Sequence, residues 1–244
     1  MSFTYQPDDE PQENEQTQAP AVFSDPPVYT YILVGAIAVV AITQFATGLE
    51  ASILNAGFVK PAFLQGHEYW RILTGAATHG SVPHVVMNCY AFYSFGKIFE
   101  ILANRAHLAI VFLLSAVGGG LLSLLFVPDG ISVGASGGIV GLIGYLAVYA
   151  FRRRHFISAE FRKSLLMNIG FILIFGLVLF QQIDNFGHIG GLIVGSIYAF
   201  LQIPADDHTD PREAGNFTQI AGLGSLGIYL ATCVFSILLI LRVV

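Results

Sequence analysis

The sequence GASGGIVGLIGYLAVYAF, residues 134–151, is a continuous apolar segment without a charged side chain. A helix of this length approaches the roughly 20 residues that cross the hydrocarbon core of a bilayer. Glycines recur along it, and small residues let two membrane helices approach closely. The segment therefore predicts a transmembrane helix that packs tightly against a neighbouring helix.

The composition of the whole chain favours a membrane location. Of its 244 residues, 55% are hydrophobic and 11% are charged, and the mean hydropathy is +0.68. A soluble domain carries roughly 25% charged residues. The net charge of −5 comes largely from an acidic N-terminal segment, and no basic surface typical of nucleic-acid binding is present. We expect an integral membrane protein that contacts the lipid bilayer and binds no nucleic acid.

Apolar runs of transmembrane length predict an all-α polytopic membrane protein. The predicted spans are residues 28–47, 83–100, 107–127, 135–151, 164–182, 185–203 and 218–241. The second span is the least apolar, because it contains His84, Asn88 and Lys97. Polar residues in such a helix are expected to face the interior of the bundle.

The segments between the spans complete the predicted organisation. Residues 1–27 are rich in Gln, Glu, Pro and Asp, which predicts a disordered acidic tail. Residues 48–82 mix aromatic and charged side chains, as expected of an interfacial loop on the outer side of the membrane. Residues 204–217 are predicted as a cytoplasmic linker to a seventh transmembrane helix within 218–244.

The distribution of Lys and Arg predicts the orientation. If the N-terminus is cytoplasmic, eight of these residues lie in inner loops and three in outer segments. The positive-inside rule then places the N-terminus in the cytoplasm. His107 also lies on the inner side in this topology, where we expect it to be solvated.

Two reactive side chains are predicted at the same membrane depth. Ser136 begins the fourth span and His188 lies near the start of the sixth, which runs in the same direction. Each is about 16 residues, or roughly 24 Å, from the inner end of its helix, in a hydrocarbon core about 30 Å thick. His84 and Asn88 lie near the outer end of the second span. Polar groups at membrane depth are costly and indicate a functional site.

Glycine-rich faces would bring the fourth and sixth helices together, so that Ser136 and His188 reach hydrogen-bond distance. The glycines assigned to this packing are Gly137, Gly141, Gly187 and Gly191. The pair predicts nucleophilic catalysis, with Ser136 as the nucleophile and His188 as the general base. Candidate donors to the oxyanion are the Ser136 backbone N–H and the side chains of His84 and Asn88.

The motifs around these residues resemble those of the rhomboid family of intramembrane serine proteases. The sequence EYWR, residues 68–71, is similar to the tryptophan–arginine motif of the first loop of that family. The sequence HVVMN, residues 84–88, is similar to its histidine-x-x-x-asparagine signature. The sequences GASG, residues 134–137, and GHIGG, residues 187–191, resemble its nucleophile and base motifs. The resemblance covers about residues 60–200.

The resemblance implies a six-helix catalytic core over residues 28–203, extended here by one C-terminal transmembrane helix. It implies a Ser136–His188 dyad without a third acid, and an oxyanion hole formed by His84, Asn88 and the Ser136 amide. Trp70 and Arg71 are then structural residues of the loop. The implied substrates are membrane-anchored proteins cut in or beside their transmembrane segments, with no cofactor and no metal. Separately, the compact size of the chain suggests a bacterial plasma membrane, and the predicted topology places the active site toward the extracytoplasmic side.

One position departs from the family pattern. Many members have an aromatic residue four positions after the serine, where its ring stacks on the base, and this chain has Val140. The orientation of His188 is then either looser or supported indirectly by another aromatic residue such as Tyr145.

Other interpretations of these residues are weaker. A non-catalytic rhomboid-like adaptor that binds membrane proteins is the main alternative, although such relatives lack the serine or the histidine. A small-solute transporter is disfavoured because the two halves show no internal repeat. A haem or metal site at His188 lacks ligand spacing. Asp184, one turn before His188, is better explained as a helix N-cap than as a third catalytic residue.

Overall fold

The structure is a computed structural model, and it describes residues 26–179, 183–206 and 208–244. The predicted tail, residues 1–27, lies outside the described residues except for Pro26 and Pro27. In chain order the elements are α1 (Val28–Thr47), α2 (Leu49–Ala56), β1 (Phe58–Val59), α3 (Lys60–Gln65), α4 (Arg71–Thr74), α5 (Val82–Leu102), α6 (Arg105–Phe126), β2 (Ile131–Ser132), α7 (Ser136–Arg152), α8 (Ala159–Val178), α9 (Asn185–Gln202) and α10 (Asn216–Ile240).

The predicted all-α class is confirmed, and each predicted span corresponds to one of the long helices. The fifth span differs most from its prediction, because α8 begins at Ala159 and not near residue 164. The side chain of Ser158 caps this helix by accepting a hydrogen bond of 3.2 Å from the Phe161 N–H. The first turn of α8 is therefore helical although it is polar, and hydropathy alone does not detect it.

Four helices are long and apolar enough to cross a membrane by length and composition alone, namely α1, α6, α8 and α10. The other three long helices of the described chain, α5, α7 and α9, are less apolar over a full span or shorter. These three carry the candidate site residues. Helix α7 is apolar but only 17 residues long, whereas polar residues such as His84 and Asn88 in α5 and His188 in α9 lower the hydropathy of the other two.

The helices α6, α7 and α9 form the centre of the bundle. Helix α7 packs against α6 and α9, and its residues 138–147 are buried without interruption. Helices α1 and α5 pack together on one side, and α10 packs against α6 and α1. Helix α8 is peripheral, since Leu165 and Gly176 are its only buried residues. The bundle is therefore tightest where α7 meets its two neighbours.

The connection between α1 and α5 folds into short elements that reach the segment before Ser136. Strand β1 pairs with β2 in antiparallel register, with Phe58 opposite Ser132. The guanidinium of Arg71 is buried and donates to the carbonyls of Leu54 (3.1 Å) and Gly57 (2.8 Å). These contacts tie the connection, predicted as an interfacial loop, to the helical bundle.

The seventh long helix, α10, also contacts this connection. The hydroxyl of Tyr229 donates a hydrogen bond of 3.0 Å to the Ala76 carbonyl. The rings of Trp70 and Phe235 pack edge to face, with centroids 5.4 Å apart. Helix α10 thus contacts both α6 and the segment that leads to α5.

The prediction that His107 is solvated is wrong. Its side chain is 3% exposed, and Nδ1 lies 2.8 Å from the hydroxyl of Tyr198 on α9. His107 lies in the first turn of α6, and the packing of α6 against α9 covers that face. Sequence position near a helix end therefore did not indicate exposure.

Candidate active site at the N-terminal ends of α7 and α9

Ser136 is the first residue of α7, and a tight turn precedes it. Gly134 has φ = +122°, a conformation that side-chain-bearing residues rarely adopt. The Gly134 N–H donates to the Gly75 carbonyl at 2.9 Å, which joins this turn to the residues after α4. Ser136 therefore lies at a helix N-terminus, where the first backbone N–H groups have no intrahelical acceptor.

His188 lies in the first turn of α9, and its side chain faces α7. Its Nε2 atom is 2.9 Å from the Oγ of Ser136, and its side chain is largely buried, with 8% exposed. Its Nδ1 atom is buried and has no hydrogen-bond partner among the residues that the structure describes. The structure thus brings the predicted nucleophile and base together, with no carboxylate hydrogen-bonded to the imidazole in the described chain.

Glycines allow α7 and α9 to approach this closely. A Cβ atom on Gly191 would overlap the carbonyl oxygen of Gly137, and one on Gly195 would overlap that of Gly141. Gly187, the fourth predicted packing glycine, contacts both neighbouring helices: a Cβ on Gly137 of α7 would lie 3.3 Å from the Gly187 carbonyl oxygen, and a Cβ on Gly119 of α6 would lie 2.5 Å from it. The packing surface therefore includes α6, which was not among the predicted packing helices. The run Gly118-Gly119-Gly120 was the available signal.

His84 lies beside the turn that precedes Ser136. A Cβ atom on Gly134 would be 2.8 Å from His84 Nε2 and 3.7 Å from Ser136 Oγ. Asn88 is one turn further along α5, and its Nδ2 donates a hydrogen bond of 2.9 Å to the His84 carbonyl. Its Oδ1 is buried with no hydrogen-bond partner in the described part of the chain. The imidazole of His84 is thus close to Ser136, whereas one amide N–H of Asn88 is engaged within its own helix.

Tyr145 does not support His188, so the suggested indirect role of this residue is wrong. Its hydroxyl donates a hydrogen bond of 2.5 Å to Gln202 Oε1. Its ring packs against the ring of Phe99, with centroids 4.3 Å apart. Gln202 lies fourteen residues after His188 on α9, about 21 Å along the helix. Tyr145 therefore packs near the opposite end of α9, and Val140 is a buried core residue.

Asp184 is the N-cap of α9, as predicted. Its Oδ1 accepts a hydrogen bond of 2.9 Å from the Gly187 N–H. Its Oδ2 accepts one hydrogen bond of 2.5 Å from the hydroxyl of Ser132 and another from the hydroxyl of Ser123. Lys60 completes this group, with Nζ donating 2.7 Å to Ser123 Oγ. This group was not predicted, although Lys60 and Asp184 stand out in the sequence as charged residues close to apolar segments.

The ammonium group of Lys60 is enclosed by protein. Its side chain is 1% exposed, and it also donates to the Ser123 carbonyl at 3.3 Å. Burial lowers the pKa of Lys60, and the negative charge of Asp184 opposes that change. The lysine and the carboxylate thus form a bridged pair with Ser123 between them.

A small cavity separates Ser136 from the Asp184 carboxylate. Its volume is about 40 Å³, and its walls include Ser132, Gly119 and Gly187. A water molecule needs roughly 10–15 Å³ of such volume and two or more polar partners, so the cavity has room for water beside Ser136. Within the described ranges, no group of three or more His, Cys, Asp or Glu side chains is arranged to hold a metal ion.

Comparison with known proteins identifies relatives over the region that holds these residues. The Rhomboid domain family model matches residues 66–205. RHOMBOID-like protein 6, mitochondrial, of Arabidopsis thaliana is 34% identical over 140 residues, which are 57% of this chain and 45% of that protein. Rhomboid protease GluP of Bacillus subtilis is 29% identical over 188 residues, 75% of this chain and 36% of that protein.

The relatives differ in what their names state. Inactive rhomboid protein 1 of Bos taurus is 31% identical over 139 residues, 56% of this chain and 16% of that protein. In each of the three comparisons, the alignment covers less than half of the length of the relative. Similarity alone thus extends to proteins named as a protease and as inactive.

Proposed function

Because this chain belongs to the rhomboid family, we propose that it is an intramembrane serine endopeptidase that cleaves membrane-anchored proteins in or near their transmembrane segments. It is an integral, multi-pass, all-α membrane protein of a family with protease and inactive members. We further propose that residues 28–203 form the catalytic core, that 204–217 form a cytoplasmic linker, and that 218–244 add a seventh transmembrane helix.

The distance of 2.9 Å between Ser136 Oγ and His188 Nε2 is the observation that carries the proposal. In the proposed reaction, His188 Nε2 takes the hydroxyl proton while Ser136 Oγ attacks the carbonyl carbon of the scissile peptide bond. The protonated imidazole then gives this proton to the leaving amine. A water molecule, deprotonated by the same imidazole, releases the acyl group from Ser136.

The negative oxygen of the tetrahedral intermediate needs donors that are in place before it forms. The backbone N–H of Ser136, at the positive end of the α7 dipole, is the first proposed donor. The imidazole of His84, beside the same turn, is the second. The Asn88 amide nitrogen carries two N–H groups, of which one donates to the His84 carbonyl, and the other is the third proposed donor.

We propose that substrates enter the bundle laterally past α8. Among the described residues, this helix has two buried residues and packs mainly against α7 and α9, so it can be displaced at a low cost in packing. The peptide bonds of a membrane helix are protected by their own hydrogen bonds, and the substrate must unwind before attack. We therefore expect a preference for segments that contain Gly or Pro near the site and a small residue before the cleaved bond.

The proposed setting is a bacterial plasma membrane, with a cytoplasmic N-terminus and the site on the extracytoplasmic side. This orientation follows the predicted bias of Lys and Arg toward the inner loops. An impermeant thiol reagent on whole cells, applied to single cysteines placed at exposed positions Tyr69 and Phe156, would report the side of each loop. Labelling of Phe156→Cys alone would contradict the orientation.

A non-catalytic adaptor is the second candidate, since one relative is named an inactive rhomboid protein. An adaptor would bind membrane proteins without cutting them. It does not require a hydrogen-bonded serine and histidine, and this chain has both. Covalent labelling by a serine-directed fluorophosphonate separates the two functions, because an adaptor without an activated serine would not react.

Cleavage of a tagged single-span substrate in proteoliposomes tests the proposal. We expect cleavage by the unmodified protein and none by Ser136→Ala or His188→Ala. Ser164→Ala and His155→Ala are matched controls, since both side chains are exposed on other parts of the chain. Equal cleavage by all five proteins, or no cleavage by folded unmodified protein across several helix-weakened substrates, would contradict the assignment.

A further inference from the structure

The carboxylate of Asp184 contacts the segment that carries His188 and the segment that precedes Ser136. Its Oδ1 accepts from the Gly187 N–H in the first turn of α9, the turn that carries His188. Its Oδ2 accepts from the hydroxyl of Ser132, four residues before Ser136. A single side chain therefore joins the start of α9 to the turn that leads into α7.

Two further residues hold this carboxylate in place. The hydroxyl of Ser123 on α6 donates to Oδ2, and the ammonium of Lys60 on α3 donates to Ser123 Oγ at 2.7 Å. Lys60 and Ser123 are both buried. A buried charge without a partner is strongly unfavourable, so the buried ammonium of Lys60 depends on the half-buried carboxylate of Asp184 for its opposite charge. The hydrogen bonds of this group connect α3, α6, β2 and the first turn of α9.

Little else in the described chain orients the imidazole of His188. Its Nδ1 atom has no hydrogen-bond partner among the described residues, and no described aromatic ring stacks on it. The residue four positions after Ser136 is Val140, and Tyr145 packs elsewhere. The direction of the imidazole therefore depends on the backbone of the first turn of α9, which Asp184 caps.

We propose that Asp184 is a positioning residue, which aligns His188 with Ser136 by fixing the start of α9 against the segment before Ser136. Lys60 and Ser123 hold its carboxylate in the required place. Asp184 is not a third member of the dyad, because its oxygens are engaged by Gly187, Ser132 and Ser123 and not by the imidazole. This inference rests on the proposed function of the Ser136–His188 pair.

Kinetics with the full chain in proteoliposomes provide the first test. We expect Asp184→Ala to lower kcat by about tenfold or more with little change in KM, because a misplaced base slows the chemical step and leaves substrate binding intact. Asp184→Asn keeps an oxygen that can accept from Gly187, so we expect it to retain more activity than Asp184→Ala. Asp129→Asn, which changes an exposed carboxylate six residues after Ser123 in the sequence, is the matched control and should behave like the unmodified protein.

A second test examines the partnership of Lys60 with Asp184. Lys60→Met leaves the carboxylate without its cation, and Asp184→Asn leaves the lysine without its anion. Removing both charges avoids either unpaired state, so we expect Lys60→Met/Asp184→Asn to unfold at a higher temperature than Lys60→Met. Additive losses in the double variant would show that the two residues act independently, and would overturn their assignment as partners.

Nitrogen-15 NMR of protein labelled at histidine measures whether His188 Nε2 keeps its hydrogen bond to Ser136, and this measurement does not depend on proteolysis. The His188 Nε2 signal, assigned by its loss in His188→Ala, is expected to shift in Ser136→Ala because its hydrogen bond is removed. Asp184→Ala should produce a similar shift in folded protein, with Asp184→Asn intermediate and Asp129→Asn unchanged.

The two readouts separate the positioning role from the proposed reaction. An unmodified protein that cleaves nothing would contradict the proposed function. In that case a shifted His188 signal in Asp184→Ala would still support positioning. Unchanged kcat and an unchanged His188 signal in folded Asp184→Ala would overturn the positioning role while leaving the proposed protease function standing. If Asp184→Ala does not fold, the positioning role is tested with Asp184→Asn and with Lys60→Met/Asp184→Asn. The measurements are again kcat and the His188 Nε2 signal.

Discussion

The backbone of Gly191 packs against that of Gly137 so closely that a Cβ atom on Gly191 would overlap the Gly137 carbonyl oxygen and lie 3.2 Å from its Cα atom. This contact lies directly next to the hydrogen bond between Ser136 and His188, since each glycine is within one turn of one of these residues. The short distance between Ser136 Oγ and His188 Nε2 therefore depends on the absence of a side chain at Gly191.

We expect Gly191→Ala to lower the free energy of unfolding by about 1–3 kcal/mol and to abolish cleavage, because the added methyl group must push α7 and α9 apart. Unfolding in mixed micelles and cleavage of a single-span substrate measure the two effects. Gly227→Ala is the control, since a Cβ atom there meets nothing within 4 Å. Equal behaviour of the two variants would contradict the packing argument.

We expect Tyr229→Phe to lower the free energy of unfolding by about 1–2 kcal/mol, because the buried Ala76 carbonyl loses its donor while the ring packing is retained. Thermal unfolding in detergent measures the change. Tyr90→Phe is the matched control, because Tyr90 is 73% exposed. A loss no larger than that of the control would mean that α10 does not stabilise the segment before α5 through this bond.

Arg71→Lys should destabilise the protein although the charge is kept. Arg71 donates to Leu54, Gly57 and Glu68 at once, with the Nε to Glu68 Oε2 distance 2.5 Å. A lysine ammonium cannot reproduce this planar fork, and the loss of hydrogen bonds to a charged donor costs about 1.5–3 kcal/mol. Chemical unfolding measures the loss, and Arg154→Lys, on an exposed side chain, is the control. Equal stability of both variants would rule out a geometric requirement for arginine.

His79 should make stability depend on pH. The residue is 0% exposed, and burial, followed by the nearby His84, lowers its pKa to about 3. The unfolded chain takes up a proton near pH 6.5 and the folded chain does not until about pH 3. Stability therefore falls as the pH decreases across this window, by up to about 1.4 kcal/mol per pH unit.

The variant His79→Gln removes this titration. Between pH 7 and pH 5 the unmodified protein should lose about 2 kcal/mol more stability than the variant, measured as the free energy of unfolding at each pH. His155→Gln, which changes an exposed histidine, should keep the slope of the unmodified protein. Parallel pH profiles for His79→Gln and the unmodified protein would contradict the argument.

Much of the fold follows from the order of residues alone. The lengths of the apolar runs match the thickness of a bilayer, so the helices α1, α6, α7, α9 and α10 were predicted close to their observed bounds. Counting residues along parallel helices also indicated that Ser136 and His188 lie at one depth. The polar first turn of α8 escaped prediction because its cap, Ser158, acts through a local hydrogen bond that hydropathy does not register.

Contacts across helices required the folded structure. A helix fixes the height of each side chain along its axis, but its rotation and its neighbours depend on packing with other helices. For that reason the chain order showed neither the burial of His107 nor the separation of Tyr145 from His188. Lys60 and Asp184 are more than a hundred residues apart in the sequence, and only the assembly of α3, α6 and α9 brings them together through Ser123. Residue order thus sufficed for the positions of the long helices and for the proximity of Ser136 and His188, whereas the residues packed around this pair follow from the three-dimensional structure.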